Sequence, residues 1–494
     1  MRGIVLTLVI FGTIPAIFWR PWLGVLVFSW FSYMNPHKLA WGFVQTMPFA
    51  LIIGSITFLA WAASKENKKY PLTGLSFLML AFILWCTITT TQAYVPDEAW
   101  AYWFRYIKIM SMIFLTMIVI QDRDRLVALV WIIVVSIGFY GIKGGIFSLL
   151  TGGGSRVWGP DGTFIADNNA LAMALVMLIP FVRFLQSQAK DRRIRFCLMA
   201  SIPCIILSIL ASYSRGGFLG LACMLLFLAM KSKHRVGYGI LIVLVMAGAL
   251  SFMPDKYYER LSTVESEAEV GTQNTRIASW HFAMDVAAAN PIFGGGFEFF
   301  DSIPLVRQYA EPAAIQAYTP LGPLGRNMHS IYFEVLGTQG YIGLIMFLSI
   351  LWMAYRNGNW VSRKTKSRPD LAWAKNLASM TQVSFIGMCT AGAFQNLAFF
   401  DLVWHIISIT VVLRLIVQRE LVKGPAENTA LRQQSVATPR WRAMAPNLRA
   451  PKPVATARTT ATFRPYRAQR PVRYLKWLVA LGITEPRPAV PRDP

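Results

Sequence analysis

Charge is what this 494-residue chain has least of. Asp, Glu, Lys and Arg together make up 15% of it, against about 25% in soluble domains. A folded soluble protein of this length could not cover its surface with so few. Acidic residues are scarcer still, 24 against 48 Lys and Arg. The five cysteines (Cys86, Cys197, Cys204, Cys223 and Cys389) all fall in apolar stretches, so they read as small core residues, not as disulfides or metal ligands. No CxxC, HExxH or P-loop pattern occurs. The signatures of metal and nucleotide chemistry are therefore missing, and neither a metal nor a cofactor is expected. Disorder as the main state is excluded as well, because 17 Trp and 32 Phe are far too apolar for it.

What is present is hydrocarbon. Hydrophobic residues are 55% of the chain and mean hydropathy is +0.45. Uncharged, strongly apolar stretches run over 3–19, 21–37, 39–64, 70–96, 109–121, 126–142, 168–182, 196–214, 216–230, 236–254, 335–355, 376–400 and 402–413. A helix needs about 20 such residues to cross the hydrocarbon core, and the stretches lack the period-2 alternation of barrel strands. The fold expected is an all-α polytopic membrane bundle.

Basic residues set its orientation. Lys65, Lys68 and Lys69 share one gap, and Lys190, Arg192, Arg193 and Arg195 another. Two more hold Lys231, Lys233 and Arg235, then Arg363, Lys364, Lys366, Arg368 and Lys375. These gaps should be cytoplasmic and the ones between them should lie outside. A long loop, 254–328, carries five basic and nine acidic residues, a net −4, as expected outside. The N-terminus admits two readings. One long broken helix from Met1 to Pro36 gives about 12 spans, and two short helices meeting at Arg20-Pro21 give about 13. The shortness of 3–19 and 21–37 favours 12.

The chain thus divides into N-terminal spans (1–253), the long loop with short helices (254–328), C-terminal spans (329–418) and a tail (419–494). The tail holds 15 basic and four acidic residues and is rich in Pro, Ala and Thr, so it is expected to be largely disordered. Beside anionic lipid it gains roughly 1 kcal/mol per basic residue; membrane lipid, not nucleic acid, is its expected partner. Val472–Ile483 is apolar enough for a short interfacial helix.

Four constellations face the outer side. Ser214-Arg215-Gly216-Gly217 divides an apolar hairpin. An Arg at the bilayer boundary is expensive and points to function, although a snorkelling Arg in a glycine turn is the plain alternative. The glycines would let a phosphate approach the backbone. Arg156 sits in a Gly-rich loop, GGGSRVWGP, that runs to Asp167-Asn168, a natural helix N-cap. Arg276 lies in TRIASW, where 274–289 has helical apolar spacing. With Asn274 or Thr275 as N-cap, the cation would fall in the first turn against the helix dipole, a misplacement that hints at an anionic partner. His281 on that segment reads as a structural hydrogen-bonder. The last constellation is Arg326-Asn327-Met328-His329-Ser330-Ile331-Tyr332-Phe333-Glu334 at a helix start. A neutral His there can take a proton from a hydroxyl, with Asn327, Tyr332, Arg326 and Glu334 as weaker candidates to orient an acceptor. Glu334, five residues on, is about 140° around the helix and need not face His329. Gly340 and Gly343 read as helix-packing positions, and His37 and His405 as core or boundary residues.

The order of these parts resembles the O-antigen ligase and polymerase superfamily of bacterial envelopes: many spans, an SRGG turn, a long loop with TR…W, then NMHSIYFEVLGTQGYIG. WRPWLGVLVFSWFSYMNPHKL near the N-terminus and FGGGFEFF at 293–300 are similar to its O-glycosylation ligase branch. The resemblance covers about residues 1–420. It implies a metal-independent, inverting GT-C-type glycosyltransferase of the inner membrane, working on the periplasmic side. Such an enzyme takes a glycan from undecaprenyl diphosphate and passes it to a hydroxyl of lipid A–core in lipopolysaccharide biosynthesis. By the same resemblance His329 is the catalytic base, Arg215 and Arg276 hold the diphosphate, and Arg156 is a further diphosphate candidate. Thr338 stands where relatives often carry an acid. A polymerase joining donor to donor, a protein O-oligosaccharyltransferase and a flippase or transporter remain alternatives. The last would need ionisable residues deep within spans, and almost none are seen.

Overall fold

The computed structural model describes residues 2–66, 68–231, 237, 239–240, 267–309 and 328–437, with the backbone alone described for 267–275 and 423–437. The chain forms one unit over Met1–Leu415 and a second over Ile416–Pro494. The described residues contain helices and no strand. In chain order the helices are α1 (Arg2–Trp19), α2 (Pro21–Met34), α3 (Phe49–Ala63), α4 (Gly74–Thr90), α5 (Pro96–Val119), α6 (Arg123–Leu150) and α7 (Asn168–Gln188). There follow α8 (Arg192–Ala211), α9 (Arg215–Lys231), α10 (Glu267–Ala289), α11 (Ile303–Tyr309), α12 (Ile331–Lys364), α13 (Ala372–Gly392) and α14 (Asp401–Ala437). Among the described residues seven helices are long and apolar enough to cross a membrane: α1, α5, α6, α7, α8, α12 and the 401–422 part of α14. Shorter apolar helices are α2, α3 and α4. This is a multi-pass helical membrane protein.

Local sequence explains where the helices start. Asp122, Asp167 and Asp191 each accept backbone N–H groups as N-caps of α6, α7 and α8. Thr73 and Ser76 form a reciprocal capping box at α4. Spanning helices that follow one another in the chain run in opposite directions, so their ends gather at two opposite poles. At one pole Arg125 binds Glu66 bidentately at 3.0 and 2.9 Å, Arg123 donates to Gln188 at 3.2 Å and Asn376 to Ser187 at 2.6 Å. The Lys65–Lys69, Lys190–Arg195 and Arg363–Lys375 connections lie at this pole. At the other, Asn168 donates to the Ser212 carbonyl at 2.7 Å, Val157 N–H to that of Ala211 at 3.0 Å and Tyr94 N–H to that of Gly295 at 3.2 Å.

The N-terminus differs from the favoured single broken helix. A Cβ on Gly3 would touch Val44 at 3.1 Å, and one on Gly24 would run into Thr57 at 2.3 Å and Ile17 at 2.9 Å. The intervening Arg20 is extended, with Pro21 at the first position of α2, and Arg125 lies 5.5 Å from the Trp22 ring. α1 and α2 therefore fold back as a hairpin whose tip is at the basic pole. That is the arrangement behind the 13-span count; stretch 236–254 lies largely outside the described residues. The tail differs as well, since α14 continues helical to Ala437 instead of ending near Arg419. The segment Val472–Ile483 lies outside the described residues.

α12 is interrupted at Gly340, whose φ of 67° and ψ of −173° are non-helical. A Cβ there would sit 2.3 Å from the Ile292 carbonyl oxygen, so only glycine fits. Four groups freed by the break find partners, as apolar surroundings demand. Gly295 N–H donates to the Gly337 carbonyl at 2.7 Å and Gly296 N–H to that of Thr338 at 3.0 Å. The Trp85 indole donates to the Gln339 carbonyl at 3.0 Å, and Tyr341 N–H donates to that of Pro291 at 3.0 Å. Gly340 is thus a docking point for the 291–296 loop as well as a close-packing position.

The described part of the long loop is a folded layer. Ala278, Phe282, Ala283 and Val286 of α10 pack with Phe299, Leu305, Val306 and Met328 in one apolar cluster. Some ionisable groups do lie buried in the spans, contrary to the sequence reading. Glu334, Asp401 and His405 are all buried, each within the first five residues of α12 or α14. Ser32 donates to Asp401, and Tyr33 bonds the His405 ring.

Candidate active site

Arg215 is the first residue of α9 and is exposed. The turn before it is made by Tyr213, with φ of 54°, not by the glycines. Gly216 and Gly217 lie in the first helical turn, where a Cβ would come within 2.8 Å of Phe394 and 2.6 Å of Ala172. Their role is to seat α9 against its neighbours, which corrects the expectation that they open the backbone to a phosphate.

Arg276 projects from α10, which starts at Glu267 and not at Thr275. The side chain is therefore nine residues into the helix, beyond the reach of the positive end of the helix dipole. Its physical tension has another source: burial and then the charge of Arg215 lower its pKa, while Asp167 opposes. The guanidinium groups of Arg215 and Arg276 are thus electrostatic neighbours, with the Asp167 carboxylate beside them.

His329 joins the same group. It is half-buried and has φ of 44°, a strained conformation of the kind concentrated at functional sites. Its surroundings hold it there. The Trp280 indole, one turn after Arg276, donates to the Met328 carbonyl at 2.9 Å and stacks on Phe333 with centroids 5.1 Å apart. Burial first, then the charge of Arg276, brings the His329 pKa down to about 4, against the pull of Asp167. The imidazole is neutral at physiological pH. Arg215, Arg276, Asp167 and His329 come from four segments far apart in sequence and converge at one pole.

Arg156 is adjacent to this group. Its guanidinium lies 5.9 Å from the Tyr213 ring and 5.6 Å from Trp158, and Tyr213 donates to the Gly153 carbonyl. The Gly-rich loop is therefore pinned to the turn that carries Arg215. Tyr332 donates to the Cys389 carbonyl at 2.9 Å, which ties α12 to α13. Glu334 is buried and accepts Ala398 N–H at 2.9 Å. His281 lies exposed on α10. Arg326 and Asn327 fall outside the described residues.

One acid of the site is not legible as such in the sequence. Spacing identifies Asp167 only as a helix cap, and a cap it is, accepting from Asn169 N–H at 2.9 Å and Ala170 N–H at 3.2 Å. Its second effect, on His329 and Arg276, was not readable from spacing. Glu298 has φ of 55°. Burial, then Asp301 and Glu98, push its pKa up to about 7, with Arg105 opposing. Among the described residues no group of three or more His, Cys, Asp or Glu is placed to hold a metal ion.

Comparisons with known proteins divide the chain in two. Residues 1–190 match a family of unknown function (DUF5935). No curated protein matches the chain. Residues 199–348, which carry Arg215, Arg276 and His329, match the O-antigen ligase family, and that match places this segment in the O-antigen ligase and polymerase superfamily.

Proposed function

We propose that this protein transfers a glycan from undecaprenyl diphosphate to a hydroxyl of lipid A–core, at the periplasmic face of the bacterial inner membrane. The observation that carries the reading is the convergence of two arginines and one neutral histidine at the pole opposite the basic connections. The positive-inside rule makes that pole periplasmic, and lipid-linked donor and acceptor both reach such a boundary laterally.

Arg215 and Arg276 receive the donor diphosphate, since guanidinium forks match phosphate oxygens. Arg156, on the adjoining loop, is a third candidate contact. His329 acts as base. Burial first, and then the Arg276 charge, brings its pKa down to about 4. A bound diphosphate would offset the Arg276 part of that shift and raise the basicity of the ring. The acceptor oxygen attacks the anomeric carbon in line as the bond to diphosphate breaks. The hydroxyl proton moves to His329, and the bonding pair leaves on the diphosphate held by the arginines. Configuration at the anomeric carbon inverts.

The test is purified protein with undecaprenyl-diphosphate glycan and lipid A–core, without added metal. Wild type should give one capped acceptor. His329→Ala should lose about 10²–10⁴-fold in rate, the usual contribution of a general base, with donor binding and melting temperature retained. Wild-type rates in that variant would remove His329 from the mechanism. A ladder of lengthening donor glycan would make the protein a polymerase, and transfer to Ser or Thr of a peptide a protein O-oligosaccharyltransferase.

A further inference from the structure

A cavity of about 760 Å3 lies between α2, α3, α5 and α6, and none of Arg215, Arg276 and His329 lines it. Its size is that of a small-ligand site, about 300–1,000 Å3. Apart from Phe400 it is built from residues 28–165, inside the segment that matches the family of unknown function. Its walls are apolar, with Phe28, Phe31, Phe49, Phe58, Leu59 and Met112 among them. Two basic side chains line it, Arg105 and Lys108, one turn apart on α5; no lining residue is a carboxylate, and Glu298 and Asp401 lie within electrostatic reach of Arg105 behind the wall. His37 is on the same wall, stacked 4.7 Å from Phe31.

The depth of those cations is informative. Arg105 is nine residues from the start of α5, about 14 Å along the helix. It follows directly on Trp100, Tyr102, Trp103 and Phe104, the aromatic girdle of a membrane interface. The cavity therefore places positive charge at headgroup level and an apolar chamber beside it. Its rim is the 162–165 loop, where Phe164 lies 3.9 Å from the Arg105 guanidinium. Asp167 of the arginine–histidine group is three residues further on, no more than about 11 Å of chain.

We infer that this cavity is a second anion position, separate from Arg215 and Arg276, that holds the diphosphate and head-proximal isoprene units of the sugar-free carrier lipid. The choice of a polyprenyl chain rests on the function proposed above; the cavity, its cations and its depth do not. One open chamber of this volume suits a single chain that continues into the bilayer, not a two-chain glycerolipid. After transfer the carrier leaves its diphosphate contacts at Arg215 and Arg276, and Arg105 and Lys108 offer the next ones at the same pole.

The experiment is native mass spectrometry of the full chain in phosphatidylcholine nanodiscs, with undecaprenyl diphosphate as probe. Arg215→Gln/Arg276→Gln should still bind one carrier per chain. Adding Arg105→Gln/Lys108→Gln should weaken that binding at least tenfold, whereas the charge-conserving Arg105→Lys/Lys108→Arg should retain it. Gly54→Leu should also weaken it, since a Cβ there makes only an ordinary contact, 3.7 Å from Met112 Sδ, and the longer side chain fills the chamber. Undecaprenol and phosphatidylglycerol should not compete. Unchanged binding in the Gln and Leu variants, or equal competition by phosphatidylglycerol, would overturn the assignment. Carrier binding with this pattern but no glycan transfer to any acceptor would sink the proposed function and leave this site standing. Intact transfer without cavity binding would do the reverse.

Discussion

The two poles of the bundle handle positive charge in opposite ways. At the basic pole cations are numerous and paired locally: Arg125 with Glu66 at 2.9 Å, Arg368 with Asp370 at 2.8 Å. At the other pole two guanidinium groups are set beside each other, with Asp167 as a nearby carboxylate. The first arrangement needs nothing more than orientation in the membrane. In the second, burial and then the Arg215 charge lower the Arg276 pKa, and burial and then the Arg276 charge lower that of His329. The lesson is that placement, not number, distinguishes a site from a sidedness signal.

The sharpest way to break this contrast is to remove charge from each pole in turn. Arg215→Gln/Arg276→Gln should lower glycan transfer more than 100-fold, taking about 1.5–3 kcal/mol for each charged hydrogen bond lost. Arg125→Gln at the basic pole should leave transfer unchanged and cost less than about 1 kcal/mol in stability. Equal losses of transfer would mean that the poles do not differ in function. A smaller effect is expected at the break in α12. Gly340→Ala forces a side chain into φ of 67° against the Ile292 carbonyl, and should destabilise by about 1–3 kcal/mol, measured as a fall in denaturation midpoint. The smallest effect is on pH. Protonated His329 cannot act as base, so transfer falls as pH drops through its pKa. Arg276 lowers that pKa, so Arg276→Gln should move the acid limb of the rate profile to higher pH. An acid limb at unchanged or lower pH would separate Arg276 from His329.

Much of this was legible in the chain. Absence of charge and the spacing of Lys and Arg predicted a helical bundle and the pairing of its ends. The SRGG turn and His329 were found because polar residues at the edge of long apolar runs stand out. Three things were hidden for physical reasons. Arg20-Pro21 reads equally as a kink or a turn, and only the tertiary contacts of Gly3 and Gly24 decide for a hairpin. α10 begins at Glu267, in polar sequence without the apolar period that marks a helix, so spacing puts Arg276 in a first turn that it does not occupy. Asp167 and Glu298 act through space on partners distant in sequence, and spacing carries no trace of that.

The Gly340 break has a mechanical consequence. The segment after α10 is bonded to both sides of the interruption, through Gly295 and Gly296 above it and Pro291 below. The other hold on α10 is Trp280, on the carbonyl just before His329. The upper turns of α12 are thus gripped at both ends by the same amphipathic layer that supplies Arg276. A tilt of that layer would carry the arginine and the imidazole together and leave their spacing unchanged.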